Sequence, residues 1–361
     1  MSNNRTGLSD STRSLALVPT SASSALPTEL AHLSRLLHEA DAFRAQAQSA
    51  NTITAYTRDW GAWLGFCRQA GVEPNNITPL SVSLYLTALA RQASPTTGQA
   101  LTVGTIERRL YGLVDQARNR GHNIDARHPD IQQVLSGIKA SRHQPPQPKL
   151  ALSPEELRAM VGTLPLTLRG LRDRTLLLLG YASALRRSEL VGLEAERPPT
   201  LQASSCRGWI EWQTESLGVL LVVRGKGSRW RMIPVGPGST EGTCPVQNLR
   251  RWLEEARIAS GAVFRGISPN DTVGALRLSD RQVARLVQRT ALAAGIRADL
   301  PETDRMRAFA AHSLRSGLAS YADVEEYQIQ RQLGHRSLST TRRYRQQRDL
   351  FRVNITQAAG L

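Results

Sequence analysis

Cysteine, acidic side chains and long apolar runs are what this chain of 361 residues has little of. Its three cysteines, Cys67, Cys206 and Cys244, are odd in number and far apart, which argues against a disulfide framework or a four-ligand zinc site and for a reducing compartment. They read as buried apolar side chains. No run of about 18 apolar residues occurs, and the opening stretch MSNNRTGLSDSTRSLALVPTSASSALP lacks a basic flank leading into a continuous apolar core. Neither a membrane span nor a signal peptide is therefore expected, and the chain is expected in the cytoplasm. Acids are outnumbered, 30 Asp and Glu against 46 Lys and Arg, for a formal charge of +16. Such an excess calls for a polyanionic partner. Because it is mostly arginine, whose fork matches phosphate oxygens, and because neutralised phosphates release counterions, nucleic acid is the expected one.

The length allows two domains of ordinary size, each with its own core. Residues 1–26, rich in Ser, Thr and Asn and without periodicity, read as a disordered arm. From 27 to 141 the pattern is helical, with apolar residues three and four apart over 27–47, 52–71, 79–93, 103–120 and 129–141. Within the second helix Tyr56, Trp60, Trp63, Leu64 and Cys67 form one stripe, read as core. Pro145, Pro146 and Pro148 break the pattern, so 142–152 reads as an extended linker. It closes on Ser153-Pro154-Glu155-Glu156: an N-cap serine, a proline at the first helical position and acids in the first turn, opening a domain over 153–361. That domain is mixed. RDRTLLLLGYASALRRSELVGL, 172–193, is helical with an interruption at Ser183-Ala184. GWIEWQT and GVLLVVRGKGSRWRMIPVG are β-branched and aromatic runs around Gly225 and Gly227, which predict a small antiparallel sheet with a tight hairpin. Helices are expected again at about 243–259, 279–294, 312–321, 326–333 and 338–358, the last with a break. The fold class is mainly α in two domains, the first all-α and the second an α-rich α+β domain.

Four separated pieces carry chemistry: ALRRSEL with Arg186 and Glu189, RGKGSRWRMIPV with Lys226, HSLRSG with His312 and Arg315, and LGHRSLSTTRRY with His335 and Tyr344. Singly each has a plain structural reading: a helix-surface charge, a lysine keeping a turn in water, an i,i+3 pair on one helical face, a satisfied loop histidine, a phenol on a solvated face. Their order changes that. The pieces resemble the active-site boxes of the tyrosine recombinases, the family of phage integrases, Xer-type recombinases and Cre, whose pattern runs Arg, Lys, His-x-x-Arg, His or Trp, Tyr. All six positions are filled, with Tyr344 nine residues after His335. The helical region from about 50 to 141 is similar to the family's SAM-like core-binding domain, which makes 153–361 the catalytic domain by resemblance. One departure stands out: Arg315 and His335 are twenty residues apart, fewer than is usual, and YADVEEYQIQ fills the segment between. Surface connections tolerate such changes; the alternative is a displaced His335.

The resemblance implies a site-specific recombinase that cuts and rejoins DNA without ATP, cofactor or metal. A phenol with a pKa near 10 is only about one part in a thousand ionised at neutral pH, so it needs cations or a base beside it. In that scheme Tyr344 attacks the scissile phosphate and forms a 3′-phosphotyrosyl link. Arg186 and Arg315 clamp the non-bridging oxygens, Lys226 protonates the leaving 5′-oxygen, His312 is an acid/base near the tyrosine, and His335 donates to the phosphate. Glu189 orients a neighbour. The implied partner is double-stranded DNA bearing a specific recombination site, bound by a homotetramer on two paired sites, a dimer on each, with the two domains clamping the duplex and the segment 350–361 either capping its own subunit or reaching a neighbour. The bearer would be a bacterial chromosome, phage or plasmid, and the protein would sit at the nucleoid. Arg58, Arg108, Arg109, Arg229, Arg342 and Arg343 are candidate DNA contacts. The competing readings are a type IB topoisomerase-like enzyme, a telomere resolvase and a catalytically silent DNA-binding relative.

Overall fold

The stripe on the second helix organises the first half of the chain. The computed structural model describes residues 28–48, 50–94, 98–142, 149–200, 205–225, 229–349 and 355–358, in two compact units, 1–145 and 146–361. The Ser/Thr-rich arm, most of the proline linker, Lys226 and most of the segment 350–361 lie outside the described residues. The first unit is helical: α1 (Thr28–Ala47), α2 (Ala50–Ala70), α3 (Pro79–Arg91), α4 (Val103–Arg118) and α5 (Pro129–Ser141). Trp63 and Cys67 of α2 are buried among Val82, Tyr85 and Leu86 of α3, Ile106, Leu110 and Leu113 of α4, and Ile131 and Leu135 of α5, while Trp60 and Leu64 pack at the margin. The Trp63 indole N–H donates to the Pro74 carbonyl at 3.1 Å and the ring meets Tyr85 edge-on, centroids 5.3 Å apart. At the margin the Arg120 guanidinium covers the Trp60 ring at 4.1 Å. α3 starts where Pro79 follows the Thr78 cap and Ser81 reaches back to it.

The second unit begins with α6 (Pro154–Gly162), and its capping box is the one the sequence spells: Ser153 Oγ accepts from the Glu156 N–H at 3.2 Å and Glu156 Oε2 accepts from the Ser153 N–H at 2.7 Å. α7 (Leu168–Ser183) follows, its second half buried on nearly every side through Leu176, Leu177, Leu178 and Leu179, which is why that half of its sequence lacks a polar face. It stops at Ala184, which takes the left-handed conformation at φ 51°, and α8 (Arg187–Leu190) restarts the helix after a short break. Next come β1 (Leu193–Glu194), β2 (Gly208–Trp212), β3 (Val219–Arg224) and β4 (Trp230–Val235), forming one sheet in that order. β2, β3 and β4 are antiparallel neighbours, as expected; β1 adds a parallel edge. In the hairpin Val223 pairs with Arg231 and Arg224 with Trp230. Val219, Leu221 and Val223 of β3 face the core with Ile233 and Val235 of β4.

α9 (Pro245–Glu255), capped by Cys244 Sγ, packs along α7 with Trp252 donating to the Val263 carbonyl at 2.9 Å. A two-stranded sheet, β5 (Arg265–Ile267) and β6 (Val273–Arg277), is followed by α10 (Asp280–Ala293) and α11 (Glu302–Ala308). The unit closes with α12 (Ala311–Tyr321), α13 (Glu326–Leu333), α14 (Leu338–Asp349) and α15 (Ile355–Ala358). All three cysteines are buried and free. Among the described residues no helix is long and apolar enough to cross a membrane. Trp63→Ala, which removes a fully buried ring from the first unit, is expected to cost about 3–5 kcal/mol of that unit's stability, read as a lowered urea midpoint by far-UV circular dichroism.

Candidate active site

α12 enters the second unit's core through Leu314 and Ala319, so the residue between them in the helical wheel, Arg315, is carried inside. Its side chain is 2% exposed. Nη1 donates to the Ala184 carbonyl at 2.5 Å, at the C-terminal end of α7, and Nη2 donates to the Leu333 carbonyl at 2.6 Å, at the end of α13. Nη2 also lies 3.1 Å from His335 Nε2. A guanidinium has only hydrogens to offer, so Nε2 accepts and the ring proton sits on Nδ1, which donates to Thr341 Oγ1 at 3.0 Å. Burial pushes Arg315 down to about 10, with the Arg186 charge as the next cause, so it stays a cation at neutral pH. His335 is driven down to about 4 by burial and by the charges of Arg315 and Arg186. The short connection between Arg315 and His335, a turn over Ala322–Glu325 and the eight residues of α13, therefore delivers His335 to the guanidinium.

His312, three residues before Arg315, points its Nε2 at Tyr344 Oη, 3.0 Å away. His312 keeps an edge open to solvent, yet desolvation by the atoms packed around it first, then Arg315 and Arg186, hold this imidazole below the ordinary histidine value of 6.5, so at neutral pH it is uncharged and able to accept the phenol's proton. Tyr344 is half-buried. Its ring packs on Ala184, Ala319, Ile329 and Leu333 and lies nearly parallel to the His335 ring, 10° between planes and 5.8 Å between centroids. α14 is held by one face: Thr341, fully buried, and Tyr344 one turn later, with the Tyr344 carbonyl accepting from Ser320 Oγ at 3.2 Å.

Arg186 stands at the N-terminus of α8, its side chain 38% exposed. Glu189, one turn on and buried, accepts from the Arg186 backbone N–H at 2.9 Å and from its Nη1 at 2.8 Å. Burial opposes ionisation of this carboxyl, but hydrogen bonds and charge from Arg231 and Arg186 prevail and hold it below the usual value. The second partner, Arg231, donates Nη2 to Oε2 at 2.7 Å and places Nη1 3.3 Å from Oε1. One carboxylate thus answers Arg186 and Arg231, while every hydrogen-bond partner of Arg315 among the described residues is neutral. The site carries an excess of positive charge facing a phenol, an arrangement suited to an anion with a tetrahedral array of oxygens.

A model of the phage integrase family matches residues 151–350, the span that holds this whole cluster. The chain belongs to the phage integrase family. An integrase/recombinase XerD homolog of Selenomonas ruminantium is 29% identical over 316 residues, 86% of this chain and 85% of its own length. Tyrosine recombinase XerC of Ralstonia pickettii strain 12J is 32% identical over 214 residues, 58% of this chain and 60% of its own. Among solved structures, the Tn1549 transposon integrase in complex with transposon right end DNA superposes with a TM-score of 0.51 over 85% of this chain and 92% of its own, at 15% identity, a likeness of fold.

For a phage integrase family chain the cluster unites Arg186, Glu189, His312, Arg315, His335 and Tyr344. Lys226 and the side chain of Arg343 lie outside the described residues. Arg229 is exposed beside the hairpin loop, and Arg342 pairs with Glu326 at 3.1 Å. In the first unit Arg58 is exposed on α2, Arg108 is paired with the buried Asp59, and Arg109 donates to Gln92 at 3.2 Å. Among the described residues no cluster of three or more His, Cys, Asp or Glu side chains is arranged to hold a metal ion. Two residues escaped the sequence reading, Arg231 and Thr341. A signal for Arg231 was present: in the alternation Arg231, Ile233, Val235 the arginine has the parity of the buried face. Gly334, between α13 and His335, holds φ +65°, and a methyl there would sit 3.0 Å from Arg231 Cδ. Gly334→Ala is expected to cost about 1–2 kcal/mol, seen as a lower melting midpoint of the purified protein.

Proposed function

We propose that this protein is a site-specific DNA recombinase that cleaves and rejoins strands through a 3′-phosphotyrosyl intermediate formed on Tyr344. The observation that carries the reading is the 3.0 Å contact between Tyr344 Oη and a neutral His312, set beside the buried Arg315, whose hydrogen-bond partners among the described residues are all neutral. In the forward step the phenol gives its proton to His312 Nε2, its oxygen bonds to phosphorus, and the bond from phosphorus to the 5′-oxygen breaks. Lys226 supplies the proton to that oxygen. Arg186 and Arg315 hold the non-bridging oxygens as charge grows on them, and losing one such donor would slow cleavage by about a hundredfold or more. An arriving oxygen competes with His335 for the Arg315 N–H. His335 then donates in turn once its Nε2 takes a proton, which the phosphate charge favours. Glu189 orients Arg186. Because the bond energy stays in the phosphotyrosyl link, the reverse step with another 5′-hydroxyl rejoins strands without a high-energy cofactor.

On this reading residues 27–141 form a core-binding domain and 153–361 the catalytic domain, and the working unit is a homotetramer on two paired DNA sites in the cytoplasm. Names of relatives such as integrase and tyrosine recombinase, and the DNA bound by the Tn1549 integrase, support it. The test is a denaturing gel after incubation with DNA carrying a nicked candidate site. Wild-type protein is expected to give a covalent protein–DNA adduct and Tyr344→Phe to bind without one; an adduct that persists in Tyr344→Phe would overturn the assignment.

The pH dependence follows from His312. Its pKa is lowered, so the neutral base persists from neutral pH to below 6.5 and is lost as pH falls further. The second-order rate constant for cleavage at sub-saturating concentration, which reports the DNA-free protein, is expected to be level near neutrality and then drop about tenfold per pH unit, with the midpoint on the acid side of 6.5. An acid limb that persists unchanged in His312→Gln removes His312 as the proton acceptor.

A further inference from the structure

Arg231 is an inward-facing cation on a strand face that is otherwise apolar, where an unpaired charge would be strongly destabilising. It is 14% exposed, so it is not a surface arginine awaiting DNA. Both terminal nitrogens are committed to Glu189, and Nε is buried without a hydrogen-bond partner. A lysine would leave no such orphan, but it could offer a single point charge where the guanidinium spans both oxygens of the carboxylate. Two glycines flank the side chain. A methyl on Gly225, the last described residue before the hairpin loop, would come within 2.7 Å of Arg231 Nη1, and a methyl on Gly334, the residue before His335, within 3.0 Å of Cδ. The guanidinium therefore fills the space where three separately placed segments meet: the start of α8 with Arg186 and Glu189, the base of the β3–β4 hairpin, and the turn from α13 into His335.

We infer that Arg231 is the positioning residue of this site, keying Glu189, and through it Arg186, to the His335 turn so that the groups gripping the phosphate keep their spacing. The inference rests on the recombinase reading. Arg231 touches no reacting atom. It acts by orienting Glu189, whose carboxylate binds both the backbone and the side chain of Arg186. Glu189, in turn, is anchored from the other side by Arg231 alone among the described residues. A displacement of about 1 Å in such a group is enough to cost about a hundredfold in rate.

The test measures single-turnover adduct formation on saturating nicked-site DNA, with DNA affinity read separately by gel shift. Arg231→Ala is expected to slow cleavage by about a hundredfold while leaving affinity close to wild type. Arg231→Lys, which keeps the charge and spares the fold if the alanine variant does not express, is expected to remain about tenfold slow. The double variant Arg231→Ala/Glu189→Gln should be no slower than the worse single one, because both act by one route. Wild-type rates in either Arg231 variant, losses that multiply in the double variant, or a loss confined to affinity would overturn the role. Were wild-type protein itself to form no adduct, the recombinase reading would fall and this inference with it. A wild type that cleaves beside an Arg231→Ala that cleaves equally well counts against Arg231 alone.

Discussion

The buried cation of Arg315 is the constraint on which the site depends. A guanidinium taken out of water costs several kcal/mol unless something negative answers it, and here no carboxylate is hydrogen-bonded to it among the described residues. What answers it are the carbonyls of Ala184 and Leu333, each at the C-terminal end of a helix, where unpaired carbonyls and the helix dipole gather partial negative charge. Both α7 and α13 end in the left-handed conformation, at Ala184 and Gly334, which turns the chain sharply and leaves those oxygens facing inward. A cation at a helix C-terminus is stabilised by about 0.3–1 kcal/mol, rising to about 2 in partly buried geometry. Two helix ends thus offset part of the burial cost. The remainder favours an anion, and it is the phosphate of DNA that the proposed chemistry brings.

The same residue explains why two histidines in one pocket are both neutral. Each is partly desolvated by the atoms around it, and each feels Arg315 and Arg186, so protonation would add a further positive charge to an already positive cavity. For His312 the consequence is a base free to accept from Tyr344. For His335 it is a fixed tautomer, accepting from Arg315 on one nitrogen and donating to Thr341 on the other. Glu189 keeps the accumulation tolerable by answering Arg186 and Arg231 together, and their hydrogen bonds and charge outweigh the burial that opposes its ionisation.

How much of this was legible in the sequence depended on whether a feature had a local cause. The cap at Ser153, the interruption at Ala184 and the antiparallel pairing of β3 with β4 arise within a few residues of chain, and each is where the spelling put it. The six-residue pattern of the site was legible as an order of motifs. α11 was not, because it buries no side chain and so shows no apolar stripe; it is held instead by Arg305 donating to the Ile296 carbonyl at 2.8 Å and the Leu292 carbonyl at 3.2 Å. β5 and β6 likewise lack an alternating buried face, and the two-residue β1 is defined only by its neighbour. Arg231 and Thr341 take their meaning from residues over forty positions away or across a turn, Glu189 and His335, and no local spacing reports such a pairing.

The helix that carries Tyr344 shows how the question of a phenol among arginines resolves. α14 is charge-rich and contributes little to the core, so propensity and general burial do not hold it against the rest of the unit. What holds it are Thr341 on His335, Tyr344 on His312 and on the small apolar cluster, Ser320 on the Tyr344 carbonyl, and Arg342 on Glu326. Two of these contacts, to His335 and to His312, pass through the site itself. The helix is docked by the groups it serves, so its position is tied to their protonation. With no anion between them, a proton added to His335 Nε2 would set two donors against each other at Arg315, and the ring that Thr341 grips and Tyr344 stacks on would have to move. Before an anion arrives, the Tyr344 phenol is therefore best placed when the cavity around it holds neutral histidines, the state that burial and the neighbouring guanidinium groups together favour.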